Sequence, residues 1–176
     1  MLEIVVVDND MNPNISKIDN LTLHFAQKEI LHLGLKKLAK LFYFVDFTNF
    51  ELKGNSVTGL DYLKWPYGPV PKDYYNWLKK LENRGSIRVE KQKKDFIPAK
   101  IVALKEPDYT VFTEDELKII WQITDRFKNE TAATIESVAK AEAPYKMVKS
   151  QELIPYHLAY YRNSFDEMAL DENSDK

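Results

Sequence analysis

The side chains best suited to metal or acid–base chemistry are His24, His32 and His157. His24 and His32 lie about 80° apart around a helix of 3.6 residues per turn. That is not the i, i+4 face that grips a metal ion, and no His-Glu-x-x-His run occurs. Ordinary surface or capping roles are expected for all three histidines. The glycines Gly34, Gly54, Gly59, Gly68 and Gly85 are scattered, so no phosphate-cradling loop forms, and there is no Gly-x-Ser-x-Gly elbow. Cysteine is absent, which excludes disulfides, thiol nucleophiles, Cys-ligated zinc and iron–sulfur clusters, and fits a reducing compartment. Carboxylates are abundant, but most sit at helix-cap or solvated-face spacing. No nucleophile, base and oxyanion donor come together. The expectation is therefore a protein that is not an enzyme and takes no cofactor or metal. An enzyme reading would need a substrate pocket, for which the surroundings of Asp46 and Tyr62 are one candidate place. Asp46 interrupts the most apolar stretch of the chain and reads as a buried or half-buried carboxylate with a local partner, a functional role being the alternative.

Two stretches point to binding. From Lys72 to Lys105 there are ten basic and four acidic side chains, a net +6, although the whole chain carries 25 basic and 27 acidic residues. Lys79, Arg84, Arg88, Lys91, Lys93 and Lys94 are the candidates for phosphate contacts. A solvated face balanced by acids elsewhere, or an acidic protein partner, would use the same charges. The second stretch is aromatic: Trp65, Tyr67, Tyr74, Tyr75 and Trp77 fall within 13 positions, interleaved with Pro66, Pro69 and Pro71. Aromatics on a proline-stiffened loop make low-entropy protein-binding surfaces. Trp65, Pro66, Tyr67, Pro69, Val70, Tyr74 and Trp77 are the candidate partner-binding residues. The competing reading is that Trp65 and Tyr67 pack the loop onto the helix at Tyr74 to Leu81.

The elements that would position these residues are legible along the chain. At 176 residues, one domain with a short appendage is expected. An apolar fraction of 44% and an aromatic fraction of 12% suit a packed core. The start, Met1-Leu2-Glu3-Ile4-Val5-Val6-Val7-Asp8, lacks the basic region of a signal peptide, and no run approaches the ~18 apolar residues of a membrane span. A cytoplasmic location is the expectation. Residues 1–20 read as an N-terminal extension with a short strand at Ile4 to Val7, residues 21–162 as the main domain, and 163–176 as an acidic, disordered tail. Leu21 to Leu33 is expected to be a helix, and Leu35 to Leu52, apolar almost all round, the central one. Ser56 to Trp65 reads as extended, Trp65 to Pro71 as a stiff loop rather than a strand, and Lys72 to Arg84 as a third helix capped by Gly85. Ser86 to Val89 and Ile97 to Leu104 are expected strands, a ribbon after a helix as in a winged helix. Thr113-Glu114-Asp115-Glu116 is a capping box. It opens a helix to Phe127 that buries Leu117, Ile120, Trp121 and Ile123 or Thr124. Short helices follow at Thr134 to Ala141, Pro144 to Val148 and Pro155 to Arg162. The fold class is mainly α with a small β element, a compact helical domain with a β-hairpin or ribbon after the third helix.

Several of these segments resemble a known family. Lys40-Leu41-Phe42-Tyr43-Phe44-Val45-Asp46 resembles the K-L-L-Y-F-A-D helix of the Panacea domain, the SocA-like antitoxin family. Val57-Thr58-Gly59-Leu60-Asp61-Tyr62 resembles its I-T-G-x-x-Y step, and Pro66-Tyr67-Gly68-Pro69-Val70-Pro71 its P-Y-G-P-V-P loop, the most specific match. Gly85-Ser86-Ile87, Phe112-Thr113-Glu114-Asp115-Glu116-Leu117 and Ile154-Pro155-Tyr156 follow in the family's order, so the resemblance spans about Leu21 to Tyr160. One segment departs from it. Where the family often reads L-S-H-E-E-x-P-W, this chain has Lys140 and Ala141 at the His and first Glu positions and keeps Glu142 at the second. The resemblance implies a mostly helical domain acting as the neutralising partner in a two-gene toxin–antitoxin pair, often on prophages or mobile elements. Direct binding to a co-encoded toxin is the implied mode. One branch of the family instead delivers its toxin to a cytosolic protease as an adaptor, for which the acidic tail or the N-terminal extension would dock to an unfoldase. Autoregulation of operon DNA through the basic 72–105 stretch is a further reading, with no membrane partner in any of them. The motif residues could equally be scaffold, with toxin specificity in surface loops or in the extension.

Overall fold

The computed structural model describes residues 12–28, 30–91 and 99–162. The expected strand at Ile4 to Val7, the acidic tail, and Lys93 and Lys94 lie outside the described residues.

Helix α1 runs Ile15–Gln27, not Leu21 to Leu33. Asn14, inside the expected N-terminal extension, is the N-cap: its side chain accepts from Lys17 N–H, which supplies one of the first turn's missing partners. The expected last turn is replaced by a link in which Leu31 N–H donates to the Lys128 carbonyl at 2.7 Å. The buried ammonium of Lys37 holds the same link by donating to the carbonyls of Leu31 (2.7 Å), Lys128 (3.3 Å) and Glu130 (2.5 Å). Burial lowers its pKa to about 8. Tertiary bonds thus end the helix early.

Helix α2, Leu35–Lys53, is the core element. Leu38, Leu41, Phe42, Tyr43, Phe44, Val45 and Phe47 are all buried, as its all-round apolar pattern predicts. It ends at Gly54, whose φ of +77° suits a residue without a Cβ. Strands β1 (Tyr62–Trp65) and β2 (Gly68–Pro71) form an antiparallel hairpin where a non-strand loop was expected. The prolines are tolerated for a geometric reason. Tyr62 and Lys64 point their backbone groups outward, to Ile154, Glu152 and Gln151 (2.8–3.0 Å). Their partners across the hairpin, Pro71 and Pro69, therefore face the free edge with the side that lacks N–H.

Helix α3, Tyr74–Asn83, buries Tyr74, Trp77, Leu78 and Leu81, and Gly85 follows its end at φ +65°. Strands β3 (Ile87–Glu90) and β4 (Lys100–Ala103) make the expected ribbon. Thr113 and Glu116 form the capping box of α4, Glu114–Phe127. Ile119, not Trp121, joins its buried face; Trp121 is 40% exposed with the Lys28 ammonium 4.3 Å from its ring centroid. Helices α5 (Ala132–Ala141) and α6 (Ala143–Lys146) follow, and the last segment, Tyr156–Tyr161, is a 3-10 turn rather than an α-helix. The domain is mainly α with two small antiparallel hairpins.

His24 is not a surface or capping residue. It is fully buried, with Nε2 2.8 Å from Thr124 Oγ1 and Nδ1 2.9 Å from Tyr109 Oη. Thr124 already donates its hydroxyl proton to Ile120 O, so it accepts from Nε2–H, and Nδ1 accepts from Tyr109. Burial, aided by the Lys28 charge, lowers its pKa to about 4, which agrees with this neutral tautomer.

Candidate protein-binding site

Asp46 is the buried post on which the site's entry segment is folded. Its Oδ1 accepts from Val57 N–H (2.9 Å) and Thr58 N–H (2.8 Å), and its Oδ2 from Tyr62 O–H (2.6 Å) and the Thr58 hydroxyl. Burial pushes the carboxyl up to about 6 while these hydrogen bonds pull the other way. Both oxygens are engaged, so Asp46 and Tyr62 act here as a clamp that delivers the chain from α2 to β1. The partners are not on α2 itself but 11 to 16 residues downstream.

A second buried polar cluster braces the domain behind the hairpin. Tyr43 O–H donates to Glu142 Oε2 at 2.7 Å, and Arg162 reaches Glu142 at 2.9 Å and Glu51 at 3.3 Å. The glutamate kept at the family's second Glu position thus ties α2, the α5–α6 junction and the end of the described chain together.

On this base the β1–β2 turn is pinned at two successive carbonyls. Tyr145 O–H donates to Trp65 O at 2.8 Å, and the Lys140 ammonium donates to Pro66 O at 3.0 Å. Lys140, the residue at the family's His position, therefore holds the turn directly. Gly68 has φ +93°, a conformation that favours glycine, and a Cβ there would meet Lys40 Cε at 2.6 Å and displace the lysine stem.

The structure separates the candidate partner-binding residues into two groups. Trp65 (38%), Tyr67 (54%) and Pro66 are exposed at the turn. Val70 is half-buried and Pro69 buried. Tyr74 and Trp77 belong to the core rather than to the surface, because they lie on the apolar face of α3, and Tyr74 O–H is tied to Leu35 O at 2.7 Å. Tyr75, one position on, is 66% exposed. Helical periodicity carried the signal, since a face built from Tyr74, Trp77, Leu78 and Leu81 turns Tyr75 outward. Trp65, Tyr75, Val70, Leu63 and Asp73 line an open concavity of about 290 Å³ beside the hairpin. The arrangement suits burial of a partner's side chain against aromatic faces.

The basic candidates are spread over several elements. Lys79 and Lys91 are exposed, Arg84 is paired with Asp19 (3.1 Å), and Arg88 with Glu90 (2.6 Å). No group of three metal-ligating side chains occurs among the described residues, and none of their helices is long and apolar enough to cross a membrane.

Residues 38–146 match the family model described as Antitoxin SocA-like, Panacea domain. The chain belongs to this family. The matched residues run from the first turn of α2 to the end of α6 and include the Asp46 clamp, the pinned hairpin and the Lys140 contact. No curated protein and no solved structure matches the chain.

Proposed function

We propose that this Panacea-domain protein neutralises a co-encoded toxin in the cytoplasm by binding it directly, through the face made by Trp65, Tyr67 and Tyr75. The observation that supports this most is the exposure of Trp65 and Tyr67 on a hairpin turn held at two carbonyls, with Tyr75 exposed on the adjoining helix α3. A pinned turn loses little entropy on binding, and exposed Trp and Tyr side chains are the types that dominate interface energetics.

The test is a two-plasmid growth assay that expresses the adjacent open reading frame with and without this protein, followed by capture of the toxin on the immobilised chain. Growth arrest relieved by co-expression is the expected outcome. Trp65→Ala combined with Tyr67→Ala should weaken toxin capture about 30-fold or more, the usual cost of losing one strong aromatic anchor. A harmless neighbour removes the proposal. Toxin lifetime separates occlusion from adaptor action: occlusion leaves it unchanged or longer, and delivery to a protease shortens it.

A further inference from the structure

Lys40 is the anomaly of the interior. It is 1% exposed, and its ammonium has no hydrogen-bond partner among the described residues. Lys37, one turn earlier on α2, shows the ordinary solution, with three carbonyls around its Nζ. An unpartnered buried charge is costly, and its field is little screened because water is excluded from around it. The Lys40 stem packs against Gly68: a Cβ placed there would lie 2.6 Å from Lys40 Cε and 3.5 Å from its Nζ, so the backbone of the hairpin turn lies against the end of the lysine.

Two further lysines reach the same turn from outside. The Lys36 ammonium sits 4.7 Å from the Tyr67 ring centroid, and Lys140 holds Pro66 O. The carboxylate nearby is Glu136, 3.6 Å from Lys140. Three cations and one carboxylate thus converge on a turn that also carries Trp65 and Tyr67.

We infer that the turn Trp65–Gly68 is a docking point for an acidic side chain of the partner protein, seated between Lys36 and Lys140 over Gly68, with Trp65 and Tyr67 against the flanking chain. Lys40 contributes positive potential from below rather than a contact. This rests on the antitoxin reading and adds the chemistry of the partner's contact segment. A protein carboxylate fits better than a nucleic-acid backbone. The lysines meet at one point instead of following a row, and the far end of the hairpin presents Asp61 and Asp73, which would repel a polyanion.

The experiment uses the full chain labelled with 13C at lysine Cε and observed by NMR. The probe is a tetraglutamate peptide, with tetraglutamine and a short DNA duplex as comparisons. Tetraglutamate should shift the Lys36, Lys140 and Lys40 signals saturably, while tetraglutamine and the duplex leave them in place. In the folded Lys36→Gln, Lys140→Gln double variant the Lys40 shift should vanish. Unmoved signals, shifts no larger than that of the exposed Lys118 on α4, or a larger response to DNA would overturn the inference. In the growth assay, Lys36→Glu with Lys140→Glu should abolish rescue and weaken toxin capture about ten-fold or more. If the wild type rescues and this variant rescues equally, the docking point is refuted and the antitoxin reading stands. If the wild type fails to rescue yet tetraglutamate moves the three lysines, the acid-binding site stands and the antitoxin reading falls.

Discussion

Replacing Lys40 with methionine should make the protein more stable. Burial lowers the Lys40 pKa from 10.5 to about 8, with Glu136 opposing and Lys36 and Lys140 adding to the depression. At about 1.4 kcal/mol per pKa unit, holding this ammonium charged in the folded state costs about 3 kcal/mol. Methionine follows the lysine stem to about the position of Cε and adapts to the same channel under Gly68, leaving a void no larger than the lost amine. A small void costs about 1 kcal/mol, so the expected net gain at neutral pH is about 2 kcal/mol. For a chain of this length that is roughly 4–8 °C in Tm. The sign of the pH dependence follows from the depressed pKa. Below pH 8 lysine is charged in both states and the wild type carries the full cost. Between 8 and 10.5 the folded wild type releases its proton while the unfolded chain keeps it, so the wild type gains stability and the advantage of Lys40→Met shrinks. The assay is urea denaturation of both proteins at neutral pH and at successive steps up to about pH 10.5. A variant less stable than the wild type at neutral pH, or an advantage that stays constant above pH 8, would refute the reasoning. If the docking inference holds, the stabilised variant also captures toxin less well, a trade of stability against function.

Two further predictions concern the buried acids. Asp46 has its pKa raised by burial from 3.8 to about 6, so its contribution to stability is present below pH 3.8 and lost as pH rises through 6. Asp46→Asn does not titrate; the stability of the wild type relative to this variant should fall by about 3 kcal/mol between pH 4 and 7, measured by denaturation at each pH. A flat difference would sink the assignment. Glu142→Gln leaves the buried Arg162 with Glu51 as its remaining carboxylate, so the loss should fall below the about 3–5 kcal/mol of a fully stranded buried charge, at about 1–3 kcal/mol. Thermal melting should show that loss, and Arg162→Met in the same chain should recover part of it; a Tm within about 1 °C of wild type would contradict the bracing role of this cluster.

The residues themselves determined the central helix, the capping box of α4, the ribbon after α3 and the family. Each of these rests on local information: apolar periodicity, cap chemistry, alternation, or contiguous motifs such as Pro66 to Pro71. Tertiary contact decided the rest. The prolines of β2 are admitted because residues 151–154 occupy the other edge of β1, a pairing some 90 positions away that no local rule contains. His24 is neutral and buried because Thr124 and Tyr109, from distant elements, supply its partners. The expected aromatic surface was divided by the helical phase of α3, which draws Tyr74 and Trp77 inward and leaves Tyr75 outside. The three lysines at the hairpin turn lay furthest from view. Lys36 and Lys40 belong to α2 and Lys140 to α5, and only the packing of both helices against the hairpin brings their charges to one turn. Sequence patterns report which side of an element is apolar; which charges meet across elements is set by the way those elements pack.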